Sequence, residues 1–215
     1  MSSMKQAALA ALALAAVSTT ARAEDASRWF VHFGPAQVAP DESAKMTAGG
    51  ALVPGGTVSI ASEWTVEGEL GYFITPNIAI AVAAGVPPTF TVNAAGTLAA
   101  VGKAGEMTGG PAGVLAQYHF NRQGRFQPYV GAGVSFLVVF DTKDGAMTNL
   151  KAKSAVGTAL QVGADYMIND RWGAFVDVKK AYVGTVATGS MFGGPVRAKV
   201  KVDPLVSSFG VTYRF

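Results

Sequence analysis

The sequence closes on Phe209-Gly210-Val211-Thr212-Tyr213-Arg214-Phe215. Apolar or aromatic side chains stand at every second position of this stretch, and its last residue is aromatic. Because successive side chains of a β-strand point to opposite faces, the stretch predicts a strand with one apolar face. Such a face contacts either lipid or a protein core, and the other end of the chain helps to separate the two.

The N-terminal residues have the pattern of a secretory signal peptide. Lys5 precedes an apolar run over residues 7–17 that is too short to cross a bilayer as a helix, and Ala21-Arg22-Ala23 supplies small residues at the two cleavage positions. The alternative, an N-terminal anchor helix, is disfavoured by the shortness of the run. We therefore predict a signal peptide over 1–23 and a single exported domain over 24–215.

Because the chain is predicted to be exported, its last strand can also be interpreted as an assembly signal. In an exported chain, a final strand that ends on an aromatic residue is similar to the assembly signal of bacterial outer-membrane barrels. We expect Tyr213 and Phe215 to be the residues that the outer-membrane assembly machinery recognises.

Composition also favours a membrane barrel. Without Lys5 and Arg22, 15 of the 17 Lys and Arg residues remain against 14 Asp and Glu, so the charge indicates no nucleic-acid partner. Half of the residues are hydrophobic and cysteine is absent, yet no second stretch approaches the roughly 20 apolar residues of a spanning helix. Only helices and closed barrels satisfy every backbone group in lipid, so strands must do the crossing.

Eight segments have the length and alternation of barrel strands. In the clearest one, Trp64, Val66 and Leu70 share an apolar face, while Glu67 and Glu69 share the opposite face. We predict an all-β fold, an eight-stranded antiparallel transmembrane β-barrel, with strands near residues 28–39, 62–74, 77–87, 110–120, 126–139, 155–168, 172–184 and 197–215.

The connections between these segments alternate in length. Thr75-Pro76-Asn77, residues 121–125 and Asn169-Asp170-Arg171 are short turns, whereas the connections near 40–61, 88–109, 140–154 and 185–196 are long. Short periplasmic turns and long extracellular loops are typical of outer-membrane barrels. Aromatic residues gather at the short-turn ends and predict a periplasmic girdle of Trp29, Tyr72, Phe73, Tyr118, Phe120, Phe126, Tyr166, Trp172, Tyr213 and Phe215.

Several motifs resemble a known family. They are Phe126-Gln127-Pro128-Tyr129-Val130-Gly131-Ala132-Gly133-Val134, Phe140-Asp141, Gln161-Val162-Gly163-Ala164-Asp165-Tyr166, Val202-Asp203-Pro204 and Tyr213-Arg214-Phe215. Together they are similar to the OmpW family of small outer-membrane barrels, and residues 141–146 resemble its AlkL-like branch, which is associated with alkane uptake. The resemblance implies an eight-stranded barrel in the bacterial outer membrane that admits small hydrophobic molecules passively.

An eight-stranded barrel is too narrow for a continuous water-filled pore. The inward faces carry polar side chains that we expect to pair and to close the lumen, with Glu67 and Glu69 meeting Lys179 and with Asp165 meeting Arg214. The predicted polar plug consists of Glu67, Glu69, Gln117, His119, Gln161, Asp165, Asp177, Lys179 and Arg214.

Above the plug, the loops and loop-proximal strand ends are rich in apolar residues. The predicted hydrophobic cleft consists of Leu52, Val86, Phe90, Leu98, Leu137, Val139, Met147, Met191 and Phe192, with Val53, Val92 and Leu150 beside them. Pro87, Pro88 and Pro111 stand where the third and fourth predicted strands meet, and proline cannot donate to a ladder. They indicate either a lateral gate into the membrane or simply two strand ends.

Two other function classes are weighed against the channel. An outer-membrane enzyme needs a base near a nucleophile, but His32 and His119 are predicted at the periplasmic end of inward faces, far from outer-leaflet lipid, so we predict no catalytic, metal or cofactor site. A surface interaction protein, such as a phage or bacteriocin receptor on a barrel scaffold, stays as the alternative.

Arg197, Lys199 and Lys201 indicate either contact with lipopolysaccharide phosphates or a solvated strand end.

Overall fold

The computed structural model describes residues 28–215, and the predicted signal peptide over 1–23 lies outside them. Among the described residues, no helix is long and apolar enough to cross a membrane. This part of the chain forms one short 3-10 helix, Ala99–Val101, and the strands β1 (Trp29–Ala39), β2 (Ser43–Ala48), β3 (Ala51–Leu52), β4 (Gly56–Ile60), β5 (Glu63–Phe73), β6 (Ile78–Gly85), β7 (Thr89–Gly96), β8 (Lys103–His119), β9 (Phe126–Asp144), β10 (Thr148–Ala152), β11 (Ala155–Met167), β12 (Trp172–Tyr182), β13 (Gly184–Met191), β14 (Gly194–Lys201) and β15 (Leu205–Arg214).

Eight strands close into an antiparallel barrel in the order β1, β5, β6, β8, β9, β11, β12 and β15. The last strand, β15, closes the barrel by pairing with β1 from Phe30↔Arg214 to Ala39↔Leu205. On its other side it pairs with β12. The predicted eight-stranded antiparallel barrel is confirmed, and closure leaves its lower wall without an edge strand.

The faces of the barrel strands follow the period of two seen in the sequence. On β5, Trp64 and Val66 are exposed on the outside, whereas Glu69 is buried inside. On β11, Leu160 and Val162 face outward and Gln161 faces inward. The exposed apolar side chains form the outer band that a bilayer would cover.

The periplasmic turns are short, as the sequence predicts, and side chains hold two of them. Thr75 Oγ1 accepts the backbone N–H of Ile78 at 2.9 Å, and Asn169 Oδ1 accepts that of Trp172 at 2.8 Å. Most residues of the predicted aromatic girdle are exposed around these turns, but Phe73 is only 2% exposed. The prediction for Phe73 is wrong because this residue stands on the inward face of β5, beside Phe30.

The long extracellular connections consist mostly of strand. Residues 40–61 contain β2, β3 and β4, and residues 88–109 contain β7 and the upper part of β8. Glycines with positive φ, including Gly49, Gly50 and Gly193, make the tight turns between them. The sequence did not predict these strands because their many Gly and Ala residues have weak strand propensity.

The predicted last strand over 197–215 is two strands. The chain bends at Asp203, whose φ is 32°, and Pro204 follows it. Asp203 Oδ1 accepts the N–H of Val183 at 2.8 Å, which fixes the bend. Above the bend, β14 leaves the barrel and joins a second sheet in the order β10, β13, β14, β2 and β3.

This second sheet completes an upper wall together with β4, β7 and the upper parts of β8 and β9. Within the described residues, two junctions of this wall have no backbone ladder, and we call them the seams: β2 beside β4, and β9 beside β10. Side chains bridge them instead. Ile60 N–H donates to Glu42 Oε1 at 2.9 Å across the first seam, and Val139 N–H donates to Ser154 Oγ at 3.0 Å across the second.

Candidate functional site

A buried cation occupies the middle of the barrel. Lys179 Nζ lies 2.6 Å from Glu67 Oε1, 2.7 Å from Asp177 Oδ1 and 3.4 Å from Glu69 Oε2. These residues come from β5 and β12, which are separated by β1 and β15 around the wall, so the contacts cross the lumen. The structure thus brings Glu67 and Glu69 to Lys179, as the sequence predicts, and adds Asp177.

Two glutamines link the carboxylates to one another. Gln161 Nε2 donates to Glu69 Oε2 at 3.0 Å and to Asp177 Oδ2 at 2.7 Å. Gln117 Nε2 donates to Glu69 Oε1 at 2.8 Å and to Gln161 Oε1 at 2.9 Å. Buried charges are tolerated only when paired and hydrogen-bonded, and these amides give both oxygens of Glu69 and Oδ2 of Asp177 a hydrogen bond.

A second layer lies toward the periplasm. His32 Nδ1 is 3.2 Å from Glu69 Oε1, and its Nε2 is 2.9 Å from Asp165 Oδ1. Arg214 Nη2 is 3.6 Å from Asp165 Oδ2 and also donates to Gln127. The sequence predicts the pair of Asp165 and Arg214, but it misses the position of His32 between two carboxylates, because that depends on which inward faces meet across the lumen.

Aromatic side chains fill the space that these polar groups leave. Tyr129 is fully buried and its hydroxyl donates to Asp177 Oδ2 at 2.9 Å. His119 Nε2 is 3.1 Å from Gln117 Oε1, and its ring packs against Phe73 with the centroids 4.8 Å apart. The guanidinium of Arg122 also packs over the Phe73 ring, 3.5 Å from its centroid. The polar plug is therefore a continuous layer across the lumen.

An apolar chamber lies within the upper wall. It holds a narrow cavity of about 60 Å³. Side chains from both sheets line it: Met46, Val58, Ile60, Val92, Ala94, Ala104, Met107, Thr142, Met147, Leu150, Ala152, Thr185, Ala187, Met191, Ala198, Val200 and Val202.

Its two threonines do not make the chamber polar. Thr142 Oγ1 donates to the carbonyl of Leu150 at 2.6 Å, and Thr185 Oγ1 donates to that of Lys153 at 2.5 Å. Because backbone carbonyls take up both hydroxyls, neither offers a free donor to a solute. A chamber of this kind suits apolar molecules and discriminates weakly among them.

The structure places the predicted cleft residues in three groups. Met147 and Met191 line the chamber, as do Val92 and Leu150. Phe90, Leu137, Val139, Leu98 and Val53 pack in the apolar clusters around it. Leu52, Val86 and Phe192 are 61%, 59% and 82% exposed, so their prediction as cleft residues is wrong.

Local geometry explains those three exceptions. Leu52 ends the two-residue strand β3, Phe192 sits in the β13–β14 turn with φ 53°, and Val86 follows β6 on the lipid-facing side. Conversely, sequence reasoning missed lining residues such as Val58, Ile60 and Ala198. Two of these, Val58 and Ile60, lie in stretches that were predicted as loop.

The three prolines mark an interruption in the barrel wall. The ladder between β6 and β8 ends at Ala84↔Ala112 and resumes between β7 and β8 at Thr89↔Thr108. In between, the carbonyl of Pro88 accepts the N–H of Gly109 at 3.1 Å. Pro87, Pro88 and Pro111 all lie in this interval, and Phe90, 3% exposed, is buried directly behind it.

The periplasmic side differs from the chamber. An open bowl of about 520 Å³ lies below the plug, and polar and charged residues including Arg122, Arg125, Asn169, Asp170 and Arg214 line it. No group of three metal-ligating side chains occurs within residues 28–215. An open polar bowl, a polar plug and an apolar chamber thus follow one another along the barrel axis.

Comparisons with known proteins identify this arrangement. A sequence model described as the OmpW family matches residues 25–215. The chain belongs to the OmpW family. Outer membrane protein AlkL of Ectopseudomonas oleovorans is 32% identical over 188 residues, which cover 87% of this chain and 82% of AlkL. Like other OmpW-family members, the protein is an outer-membrane β-barrel.

Two further relatives extend the comparison. The dibenzothiophene metabolism operon protein PahQ of Pseudomonas aeruginosa is 32% identical over 189 residues, covering 88% of this chain and 89% of PahQ. The crystal structure of the outer membrane protein OprG from Pseudomonas aeruginosa superposes with a TM-score of 0.83 at 25% identity, covering 89% of this chain and 97% of OprG. The predicted family and bacterial outer-membrane location are confirmed.

Proposed function

We propose that this OmpW-family barrel is a passive channel through which small hydrophobic molecules enter the outer membrane. The observation that carries the proposal is the apolar chamber above a closed polar plug. A solute in the chamber would have to leave Lys179 and three carboxylates unpaired to continue straight toward the periplasm, at a cost of several kcal/mol. The names of AlkL and of the dibenzothiophene-operon relative support a hydrophobic solute class. The proposal assigns no chemical step and no cofactor to the protein.

The lateral gate of this channel is the interruption at Pro87, Pro88 and Pro111. On its outer side, Val82, Val86 and Val114 are exposed and would contact lipid. On its inner side, Phe90 packs with Met107 and Ile60, both of which line the chamber. A shift of Phe90 would therefore connect the chamber to the membrane interior without breaking the ladders on either side.

Uptake of a long-chain alkane into vesicles that contain the purified protein tests the gate. Restoring ladder donors with Pro87→Val and Pro111→Val should slow uptake, because continuous backbone pairing would close the interval. Unchanged uptake by the double variant would remove the gate from the proposal, while leaving the chamber.

The chamber is tested separately. Ala198, 2% exposed, lines the chamber, whereas Ala132 on β9 faces outward. Ala198→Phe should reduce alkane uptake about ten-fold, because the ring would fill the narrow cavity that a solute must enter, and overpacking costs about 1–3 kcal/mol. The matched variant Ala132→Phe should behave like the wild type. Equal uptake by both variants would overturn the channel itself.

The alternative is a surface protein whose barrel only carries loops that bind a phage, a bacteriocin or another partner. That role favours a hydrophilic, sealed upper lumen, and the apolar chamber favours the channel instead.

Three partners follow from the outer-membrane location and are part of the proposal. They are membrane lipid with lipopolysaccharide, hydrophobic solutes, and the assembly machinery that would recognise Tyr213 and the exposed Phe215 at the end of β15.

A further inference from the structure

The outer face of the second sheet carries cations from three strands. Arg197, Lys199 and Lys201 alternate along β14 and are exposed, whereas Ala198 and Val200 between them are buried against the chamber. Lys45 of β2 and Lys151 of β10 are also exposed. We call these five residues the basic face.

The register of the sheet sets these charges side by side. Lys199 pairs directly with Lys45, and Arg197 pairs with Thr188, which in turn pairs with Lys151. Directly opposed residues of neighbouring strands share a face and lie about 5 Å apart, and like charges in that position are destabilising. An anion bound between them would remove that repulsion.

No carboxylate of the described residues does so. None of the five cations has an Asp or Glu partner within ion-pair distance among residues 28–215. The acids near the base of the sheet are engaged elsewhere. Asp41 lies 3.1 Å from Lys180 Nζ, Glu42 accepts the N–H of Ile60, and Asp203 accepts that of Val183.

The opposite side of the upper wall shows that surface lysines in this protein can be paired. Lys103 Nζ is 2.7 Å from Glu106 Oε1, and Lys143 Nζ is 3.4 Å from Glu106 Oε2. The hydrogen bond from Lys103 lowers the pKa of the Glu106 carboxyl below its usual range. One wall therefore neutralises its cations with a side chain, and the other leaves five of them without one.

The position of the basic face relates it to the membrane. Lys201 pairs with Gly184, two residues above Tyr182, which is exposed on the lipid-facing side. Arg197 stands four residues farther along β14, or about 13 Å higher at the usual rise of a strand. The face thus begins at the upper edge of the apolar band and rises through the layer where the head groups of the outer leaflet lie.

Hydroxyl donors accompany the cations on the same face. Thr188 pairs with Arg197, and Ser43 pairs with Lys201, whereas the hydroxyl of Thr47 donates to the Arg197 carbonyl at 3.3 Å. Cations interspersed with hydroxyl groups bind phosphate oxygens through charge-assisted and ordinary hydrogen bonds.

We propose that the basic face binds the phosphate groups of lipopolysaccharide in the outer leaflet. The phosphates sit between Lys45 and Lys199 and beside Arg197, and they hold the second sheet upright at the membrane surface. This binding does not depend on the passage of solute through the chamber.

The test is a titration of the purified full-length barrel in detergent with lipid A, in its bisphosphorylated and its fully dephosphorylated forms. Each cation near an anionic lipid surface contributes about five-fold in affinity, so Arg197→Gln with Lys199→Gln should weaken binding of the bisphosphorylated form about 25-fold. Binding of the dephosphorylated form should be weak for every variant.

The matched control is Lys103→Gln with Lys143→Gln, which removes the same charge from the opposite wall. We expect the control to bind lipid A within about two-fold of the wild type. Equal weakening in both double variants would mean that the net charge of the protein, and not the basic face, determines the affinity for lipid A. Wild-type affinity in both would mean that lipid A binds at another surface. Tighter binding of a sulfated polysaccharide than of lipid A would make the face a polysaccharide site. Each of these three results overturns the proposal.

Discussion

The lower and upper parts of this barrel differ in the polarity of their interiors and in the backbone pairing of their walls. The lower part has an unbroken circuit of backbone ladders around a polar, hydrogen-bonded plug. The upper part encloses an apolar chamber with a wall that lacks ladders at the seams. The completeness of backbone pairing in the wall and the polarity of the interior therefore change together along the barrel axis.

Physical chemistry explains why they change together. Lipid offers no hydrogen bonds, so the wall at membrane depth must pair every backbone group internally. Above the membrane, water and side chains can satisfy unpaired groups, as Glu42 and Ser154 do at the seams. The upper wall can therefore lack ladders at the seams, whereas the lower wall is paired all the way round, and the apolar chamber lies behind the wall whose pairing is incomplete.

The largest expected effect is the loss of Lys179. Lys179→Met would leave Glu67, Glu69 and Asp177 buried without their shared cation, and the free energy of unfolding should fall by about 3–5 kcal/mol. Urea unfolding of the protein in lipid vesicles measures this. Lys180→Met, which removes the adjacent lysine, its pair with the exposed Asp41 and its hydrogen bond to the Asp203 carbonyl, should cost about 1–2 kcal/mol. Similar losses in the two variants would mean that the plug is not a buried ionic cluster.

The lower part was largely predictable from the sequence. A period of two placed Glu69 and Lys179 on inward faces, and opposite charges on inward faces must pair when no water replaces them. His32 shows where this reasoning ends. Its contacts with Glu69 and Asp165 depend on the tilt and stagger of strands around the barrel, which no single strand's pattern contains.

The upper part was much less predictable. Val58 and Ile60 alternate over only five residues, and Ala94 and Ala104 lie among glycines and alanines with weak strand propensity. Their burial comes from the second sheet folding over them. That sheet exists because Asp203 and Pro204 bend the chain, and a three-residue bend was not visible inside a long alternating stretch.

A smaller effect tests how tightly the lower interior is packed. A Cβ added at Gly71 would lie 2.0 Å from Phe30 Cζ, so Gly71→Ala must displace a buried ring, at a cost of about 1–3 kcal/mol. Gly68 on the same strand meets only Phe33 Cδ2 at 4.0 Å, so Gly68→Ala should be neutral or slightly stabilising. Unfolding in urea compares the two. A neutral Gly71→Ala would indicate a lumen with more room than the structure has.

The seams should be the most dynamic part of the wall. The amide of Val139 donates only to the Ser154 hydroxyl, whereas Val134 lies within ladders to both β8 and β11. We expect hydrogen exchange at Val139 to be at least about ten-fold faster than at Val134, and Ser154→Ala to accelerate it further by removing an acceptor worth about 1 kcal/mol. NMR of the protein in lipid measures both rates. Equal protection at the two positions would contradict the contrast between seam and ladder.

The smallest effect concerns Asp144, at the extracellular end of the second seam. Its carboxylate accepts the N–H groups of Asn149 and Leu150, each at 2.9 Å, and these bonds lower its pKa below the usual value. A carboxyl whose pKa is lower in the folded state stabilises that state above its unfolded pKa, and the contribution is lost as the pH falls through the folded value. Acidification below about pH 4 should therefore loosen the β9–β10 turn and speed exchange at Leu150, while the ladder at Val134 stays protected. Asp144→Ala should produce the same fast exchange at neutral pH and abolish its pH dependence. If that dependence persisted in Asp144→Ala, another group would control the seam.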